Sequence, residues 1–206
     1  MKAIVHVVDD DDSMRAALVR LLRISGFEAM GYASAGEFLL HPPADRHGCL
    51  LLDVQMPGPS GLELQAALKE SAIHLPIVFM TGHGDVASGI AAMKSGALDY
   101  LEKPIEPNTL LQVIDRALAR DNENRAARRA RRELRASFKM LSPRERQVFE
   151  LVVAGKLNKQ IADALDVAER TVKAQRATLM MKLGTDSAAG LGRLAERLRA
   201  AGEEAD

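Results

Sequence analysis

The chain has 206 residues, no net formal charge, no tryptophan and two tyrosines. This length favours two small domains, and the scarcity of aromatic rings argues against an aromatic platform for single-stranded nucleic acid. The chain begins with a very short apolar stretch that runs into acid, and it contains no run of about 18 apolar residues, so we expect a cytoplasmic protein without signal peptide or membrane span.

Short apolar runs rich in β-forming residues alternate with helical patterns through the first hundred residues. The predicted strands are 4–8, 28–31, 49–52, 77–80 and 98–101, and the single cysteine, Cys49, is expected to fill the core. The predicted helices are 13–25, 34–41, 61–71, 85–95 and one that begins near Asn108. This alternation predicts a doubly wound α/β domain with a five-stranded parallel sheet, whose reactive groups lie beyond the carboxyl ends of the strands.

A continuous helix without Gly or Pro is predicted across residues 108–140. Its apolar stripe ends near Ala119, and Arg and Ala dominate afterwards. We expect the first turns to pack on the α/β domain, which spans residues 1–118, and residues 119–140 to form a semi-rigid helical linker. The arginines of this linker are interpreted as a solvated face, with phosphate contact or a weak dimer coil as alternatives. They are Arg125, Arg128, Arg129, Arg131, Arg132 and Arg135.

A second domain, residues 141–206, is predicted to begin with a capped helix. Ser142, Pro143 and Glu145 combine an N-cap, a proline in the first turn and a capping box. Four short helices are predicted at 143–154, 158–165, 169–183 and 187–200.

The charge is distributed unevenly along the chain. Residues 1–108 carry 8 Lys and Arg against 14 Asp and Glu, a net charge of −6, whereas residues 109–206 carry 20 against 14, a net charge of +6. We therefore expect the C-terminal half to bind a polyanion.

Polar side chains follow the predicted strands of the first domain. Asp9 and Asp10 follow strand 1, Asp53 follows strand 3, Thr81 ends strand 4 and Lys103 follows strand 5. Because clustered carboxylates repel one another unless a hard cation lies among them, the pattern predicts Mg²⁺. Mg²⁺ and the Lys103 ammonium would offset the charge of a phosphoryl group transferred to an Asp carboxylate. Taken singly, each feature fits a solvated turn, a helix cap or an ordinary loop equally well.

The ordered set of these residues is more specific than its parts. Asp9-Asp10, Asp53 with Met56-Pro57, Thr81-Gly82 and Lys103-Pro104 resemble the receiver domain of two-component response regulators, over residues 1 to about 118. The resemblance implies that Asp53 is the phosphoacceptor and that Thr81 and Lys103 bind the phosphoryl oxygens. It also implies a Mg²⁺ site formed by Asp9, Asp10, Asp53 and the backbone carbonyl of Gln55.

Further positions carry roles only through this resemblance. Tyr100 matches the switch aromatic, which turns inward as Thr81 moves toward the phosphate, although an edge-strand aromatic packed on a helix fits the pattern too. Gln55 and His83 stand where the family tunes the lifetime of the acyl phosphate. Outside the resemblance, Asp12 is interpreted as an acid that interacts with the dipole of its helix.

Residues 158–183 fit a helix-turn-helix, in which one helix braces the DNA backbone and the next enters the major groove. A generic basic helical hairpin would show the same periodicity. The segment from Leu141 to Gly184 resembles a LuxR-type helix-turn-helix, notably in Ser142-Pro143-Arg144-Glu145, Asn158-Lys159-Gln160-Ile161-Ala162, Thr171-Val172-Lys173 and Lys182-Leu183-Gly184. Together with the receiver, it places the chain beside the FixJ type of the NarL/FixJ family.

This second resemblance implies a set of polar DNA contacts near the starts of the two helices. They are Asn158, Lys159, Arg170, Thr171, Lys173, Gln175 and Arg176. The chain departs from the family at Asp166, which replaces the more usual Gly in the turn, where Asp tolerates a left-handed conformation better than most residues.

The expected function is phosphorylation-dependent regulation of transcription. A sensor histidine kinase donates phosphate to Asp53, the receivers form a homodimer, and paired recognition helices bind double-stranded promoter DNA, where RNA polymerase is the further partner. The only reactions that the chain catalyses are then its own phosphoryl transfer and dephosphorylation. One alternative is a phosphohydrolase of the haloacid dehalogenase type, with Asp9 and Asp11 as its Asp-x-Asp pair. Another is a phosphorylation-controlled protein-interaction module.

Overall fold

A computed structural model describes residues 2–40, 47–71, 73–82 and 86–203 of the chain. The chain divides into two compact units, Met1–Arg125 and Ala126–Asp206, with the division inside one long helix. Three sequence-based expectations lie outside the described residues: a role for His83, and helix boundaries at residues 41 and 85. No helix in the described ranges is long and apolar enough to cross a membrane.

The first unit is built on a five-stranded parallel sheet. Its strands are β1 (Ile4–Val8), β2 (Glu28–Tyr32), β3 (Gly48–Asp53), β4 (Ile77–Thr81) and β5 (Asp99–Glu102), in the order β2-β1-β3-β4-β5. The order reverses direction beside β1, as in doubly wound sheets. The predicted fold class is confirmed, and each predicted strand is present within about one residue of its expected bounds.

Helices cover both faces of the sheet. They are α1 (Asp12–Ile24), α2 (Ala35–Leu40), α3 (Gly61–Glu70), α4 (Val86–Lys94) and the first part of α5 (Pro107–Lys139). On β3 the side chains alternate: Leu50 and Leu52 enter one core with α2, α3 and α4, whereas Cys49 and Leu51 enter the other with α1 and α5. Burial on both faces explains why the three inner strands, β1, β3 and β4, are largely continuous apolar runs, whereas the edge strands β2 and β5 carry exposed polar residues.

A buried histidine lies on β1. The His6 ring contacts Tyr32 and Phe38, and its Nδ1 is 3.0 Å from the Tyr32 hydroxyl. Burial lowers the pKa of His6 from 6.5 to about 4, because the interior disfavours the charged imidazolium. His6 is therefore neutral at physiological pH.

Helix α5 is anchored beyond its apolar stripe by a carboxylate that the sequence pattern does not predict. Asp121 is fully buried, and its Oδ2 accepts a hydrogen bond from the Gly48 backbone N–H over 3.0 Å. Next to it, Asn122 Oδ1 lies 3.0 Å from His47 Nε2. These contacts tie α5 to the start of β3 within a stretch where a solvated linker was expected.

The second unit is helical. After the end of α5 it contains α6 (Pro143–Val153), α7 (Asn158–Leu165), α8 (Glu169–Lys182) and α9 (Ala188–Glu203), close to the predicted bounds. The capping box of Ser142 and Glu145 is confirmed, and Asp166 takes the left-handed conformation with φ of 50°.

Two apolar residues near the end of α5 differ from the prediction that this helix is apolar only in its first turns. Leu134 is buried, and the Phe138 ring lies 5.1 Å from that of Phe149, where it extends the apolar core.

Candidate functional site

The sheet brings the chemically active residues of the first unit to one edge. Val8 pairs with Leu52 in the β1–β3 register, so Asp9 and Asp53 follow equivalent positions on neighbouring strands. Asp53 pairs with Met80, which precedes Thr81 on β4, and the Lys103 backbone N–H donates to the Thr81 carbonyl over 2.8 Å. The predicted gathering of these side chains at the carboxyl ends of the strands is observed.

Three carboxylates meet at this edge. Asp9, Asp10 and Asp53 each place one oxygen within 4.8 Å of the others. Asp9 is fully buried, Asp53 is 7% exposed and Asp10 is exposed. Two of the three carboxylates are therefore buried, and the third faces solvent.

Lys103 bridges two of these carboxylates. Its Nζ donates to Asp9 Oδ2 over 2.9 Å and to Asp53 Oδ2 over 2.7 Å. Burial raises the pKa of Asp53, and the hydrogen bond from Lys103 offsets this only in part. Burial alone would lower the pKa of Lys103, but its hydrogen bonds to Asp53 and Asp9 outweigh burial and raise it. Lys103 therefore remains a cation beside Asp53.

The loop after β3 fixes the Asp53 carboxylate. The Gln55 backbone N–H donates to Asp53 Oδ1 over 3.2 Å, and the Gly61 N–H donates to the Val54 carbonyl over 3.1 Å. A Cβ on Gly61 would lie 2.2 Å from the Asp53 carbonyl oxygen. Only glycine lets the start of α3 approach the loop this closely.

The donor set fits Mg²⁺. This ion prefers hard oxygen ligands, binds through a few carboxylates and keeps several waters. Asp9, Asp10 and Asp53 supply carboxylate oxygens, and the exposed side of the trio leaves room for water. Lys103 contacts two of the three carboxylates, so the cluster keeps an excess of negative charge that a divalent ion would neutralise.

Two contacts that the sequence pattern does not predict hold Asp9. Arg15 Nη1 donates to the Asp9 carbonyl over 2.7 Å, and its Nη2 pairs with Asp12. The Asp11 backbone N–H donates to Asp9 Oδ1 over 2.9 Å. Asp11 is also the N-cap of α1, because its carboxylate accepts from the Ser13 and Met14 N–H groups, which lowers the pKa of Asp11.

Thr81 and Tyr100 differ in accessibility. Thr81 is buried beneath the acidic edge, whereas Tyr100 on β5 is 47% exposed. The Tyr100 ring lies against Gly89 of α4, about 3.5 Å from where a Cβ would stand. This is the arrangement of an edge-strand aromatic packed on a helix, and an inward-turned Tyr100 would be a second conformation.

The second unit presents the predicted DNA-contacting residues on α7 and α8. Lys159, Arg170 and Lys173 are exposed, and Lys173 Nζ lies 3.3 Å from Glu169. Arg176 is half-buried, and its Nη1 donates to Asn158 Oδ1 on the neighbouring helix.

The other two predicted contacts, Thr171 and Gln175, are less accessible than Lys159, Arg170 and Lys173. Thr171 and Gln175 are both half-buried, and the Gln175 Oε1 atom is fully buried with no partner among the described residues. The side-chain carbonyl of Gln175 is therefore turned away from the solvated face on which a DNA contact was expected.

Glu145 joins the start of the second unit to α8. Lys182 Nζ lies 2.7 Å from Glu145 Oε1 and 2.8 Å from Oε2, while Oε2 also accepts from the Ser142 backbone N–H. The hydrogen bond from Lys182 and then that from Ser142 lower the pKa of Glu145. One carboxylate thus caps α6 and fixes the end of α8.

Each of the two units matches a known protein family. The family model for the response regulator receiver domain matches residues 5–115, and the model for bacterial regulatory proteins of the luxR family matches residues 139–195. Receiver domains typically bind Mg²⁺ at an acidic pocket, and such a domain implies a kinase as phosphodonor. The luxR-type domain implies binding to DNA.

Relatives extend over nearly the whole chain. Nodulation protein W of Bradyrhizobium diazoefficiens is 46% identical over 197 residues, which cover 96% of this chain and 87% of that protein. Transcriptional regulatory protein FixJ of Rhizobium meliloti is 41% identical over 195 residues, 93% of this chain and 94% of that protein. The solved structure of response regulator StyR is 45% identical with a TM-score of 0.83, and the match covers 96% of this chain and 100% of that one. The chain therefore belongs to the response regulator family, as a transcriptional regulator with an N-terminal receiver and a C-terminal luxR-type DNA-binding domain.

Proposed function

We propose that this response regulator accepts a phosphoryl group on Asp53 and that the acyl phosphate controls its binding to promoter DNA. The observation that carries the proposal is the contact of the Lys103 ammonium with both Asp53 and a second buried carboxylate, Asp9. A carboxylate beside a fixed cation is a nucleophile whose phosphorylated form is met by compensating charge.

In the proposed phosphoryl transfer to Asp53, the donor is a phosphohistidine of a sensor histidine kinase. An Asp53 carboxylate oxygen attacks phosphorus, the new O–P bond forms as the P–N bond breaks, and the electron pair returns to the imidazole, which takes up a proton. Lys103 and Thr81 hold the phosphoryl oxygens. The chain thereby catalyses only its own phosphorylation and dephosphorylation.

Four oxygen donors would hold Mg²⁺: the carboxylates of Asp9, Asp10 and Asp53 and the backbone carbonyl of Gln55. When bound, the ion supplies positive charge that offsets the phosphoryl oxygens. Arg15 would stabilise this site, because its hydrogen bond to the Asp9 carbonyl fixes the backbone that carries one ligand.

Phosphorylation would be sensed by the buried Thr81 hydroxyl and by Tyr100. If Thr81 moves toward the phosphate, the space beside it can receive the Tyr100 ring, which is half-exposed on β5. The surface of α4, β5 and α5 would then change shape and favour a homodimer. Two joined DNA-binding units bind paired half-sites far more tightly than one unit binds a single half-site.

In the DNA-binding domain, α8 would enter the major groove while α7 braces the DNA backbone. The exposed cations Lys159, Arg170 and Lys173 are suited to phosphates, whereas Arg176, held by Asn158, is pre-oriented for a fixed partner. Thr171 and Gln175 complete the proposed contact set, and Gln175 would have to turn its amide outward.

We propose domain bounds of 1–118 for the receiver, 119–140 for the linker and 141–206 for the DNA-binding domain, with the two ends of the linker attached to these domains through Asp121 and Phe138. The regulator would act in the cytoplasm, where promoter DNA and RNA polymerase, its further proposed partner, are found. The phosphohydrolase alternative has no support from the comparisons, and its Asp11 is occupied as the N-cap of α1.

DNA binding with and without a phosphoryl mimic tests this proposal. Duplexes would be selected from a random library with protein treated with beryllofluoride and Mg²⁺, and affinity for one selected duplex measured by fluorescence anisotropy. We expect beryllofluoride to tighten binding and dimerise the wild-type protein but to leave Asp53→Asn unchanged. Equal binding by the untreated and treated wild-type protein would overturn the proposal.

A further inference from the structure

One side of α8 lies opposite the apolar core of the second unit. Val172 and Leu179 are buried and mark the side of this helix that faces the core. At about 100° per residue, Ala174 and Ala177 each lie about 140–160° around the helix from both buried residues. We call the exposed residues on this opposite side the outer line of α8: Arg170, Ala174, Ala177 and Met181.

The polar side chains beside the two alanines are directed elsewhere. The Gln175 Oε1 atom is fully buried without a partner among the described residues, and the Arg176 guanidinium donates to Asn158 on α7. Lys173 Nζ lies 3.3 Å from Glu169, one turn earlier on α8. The middle of the outer line therefore presents two methyl groups to a partner, and not hydrogen-bonding groups.

An exposed methyl group recognises a different feature of DNA from a polar side chain. Among the four bases, thymine presents a methyl group in the major groove, and an alanine side chain makes an apolar contact with it. Alanine is also short enough to let the helix backbone approach the base edges. Ala174 and Ala177 are separated by about 4.5 Å along the helix axis, against about 3.4 Å between successive base pairs, so each can contact a base pair of its own.

We propose that Ala174 and Ala177 contact the methyl groups of two thymines in each half-site and thereby determine part of the operator sequence. The inference rests on the proposed entry of α8 into the major groove and adds which base the middle of this helix reads. Arg170, Lys173 and Lys159 keep their proposed phosphate contacts, which position the domain but carry no sequence information. Each half-site should therefore contain two thymines in adjacent base pairs or one base pair apart, on either strand.

Deoxyuridine tests this proposal, because it pairs as thymidine does and lacks only the C5 methyl group. Full-length protein treated with beryllofluoride and Mg²⁺ would select duplexes from a random library, and each thymine of one selected half-site would then be replaced in turn. We expect replacement at two positions to weaken binding about fourfold each in fluorescence anisotropy, since each removes one buried methyl group. Replacement of thymines outside the half-sites should leave binding unchanged.

Two glycine variants assign the two thymines. Ala174→Gly and Ala177→Gly each remove one side-chain methyl group from an exposed position of α8. The preference for thymine over uracil is a ratio measured within one variant, so any loss of helix stability cancels. We expect each variant to lose the preference of about fourfold at one of the two positions and to keep it at the other. Ala189→Gly, at an exposed position of α9, should keep both preferences.

The possible outcomes separate this inference from the proposed function. The inference is overturned if selected half-sites lack two thymines at this spacing, if deoxyuridine binds as tightly as thymidine, or if both variants keep the wild-type preferences. Loss of dimerisation in the variants with unchanged preferences would also overturn it, by showing that the outer line contacts protein. A treated protein that selects no duplex would contradict the proposed function itself, and this inference with it.

Discussion

Lys103 Nζ donates to Asp53 Oδ2 over 2.7 Å, so the phosphoacceptor that we propose already holds a cation in contact. Replacing Lys103 by Met removes this charge while keeping an unbranched side chain. We expect labelling of Asp53 by acetyl phosphate in Mg²⁺ to slow about 100-fold, because the phosphoryl oxygens lose a fixed positive partner. The rate would be measured by intact-mass spectrometry, with Lys94→Met on α4 as the control. Labelling of Lys103→Met at the wild-type rate would show that the contact is only structural.

Gly61 is placed where no other residue fits. Gly61→Ala would bring a Cβ within 2.2 Å of the Asp53 carbonyl oxygen and 3.0 Å of the Phe79 ring. We expect this change to lower the free energy of unfolding by about 2 kcal/mol, because the backbone must shift. Gly36→Ala in α2 is the matched control: its nearest neighbour would be 3.8 Å away, and alanine there should raise stability by about 0.5 kcal/mol. Urea unfolding measures both, and equal effects would refute the steric argument.

His6 should make the free energy of unfolding of the receiver decrease at acidic pH. Its folded pKa of about 4 lies below the ordinary value of 6.5, so the folded state binds its proton less readily than the unfolded state does. The stability that the neutral ring contributes is full above pH 6.5 and falls as pH drops toward 4, by about 1.4 kcal/mol per pH unit. His6→Phe should remove this slope in urea unfolding between pH 6.5 and 4, whereas exposed His74→Gln should keep it. A slope that survives in His6→Phe would assign the acid sensitivity to other groups.

Glu145 should stabilise the DNA-binding domain through its charge. Its pKa is lowered, so its contribution is present above its usual pKa of 4.5 and is lost as pH falls through the lowered folded value. Glu145→Gln keeps a side-chain acceptor for the capping box but loses the ion pair with Lys182. We expect a loss of about 1 kcal/mol at pH 7 that shrinks at pH 3, with exposed Glu150→Gln unchanged at both. A loss of equal size at pH 3 would point to packing instead of charge.

Much of the fold follows from periodicity. Strands buried on both faces appear as continuous apolar runs, and helix starts carry their own caps, so the order of elements and the fold class were predictable. Asp121 was not predictable, because a single Asp in an Arg-rich helix looks solvated until the start of β3 supplies a backbone N–H for it. Long-range backbone partners leave no local pattern in the sequence.

The acidic edge was predictable for a similar reason, since parallel strands end together and a polar residue after each strand must meet its neighbours. Arg15 was missed because its partner is the Asp9 backbone carbonyl, which is present in any sequence. The pairing of Arg176 with Asn158 joins residues 18 positions apart and depends on how α7 and α8 pack. Residue type and spacing indicate which groups are near the site but not which atoms they contact.

Every later step of the proposed regulation depends on the formation of an acyl phosphate at residue 53. Full-length protein and Asp53→Asn would be incubated with acetyl phosphate and Mg²⁺, and the modified residue located by peptide mass spectrometry after borohydride reduction. We predict one added phosphoryl group on the wild-type chain, located at Asp53 and absent from the variant. A wild-type chain that gains no phosphoryl group, or gains it at another residue, would contradict the account.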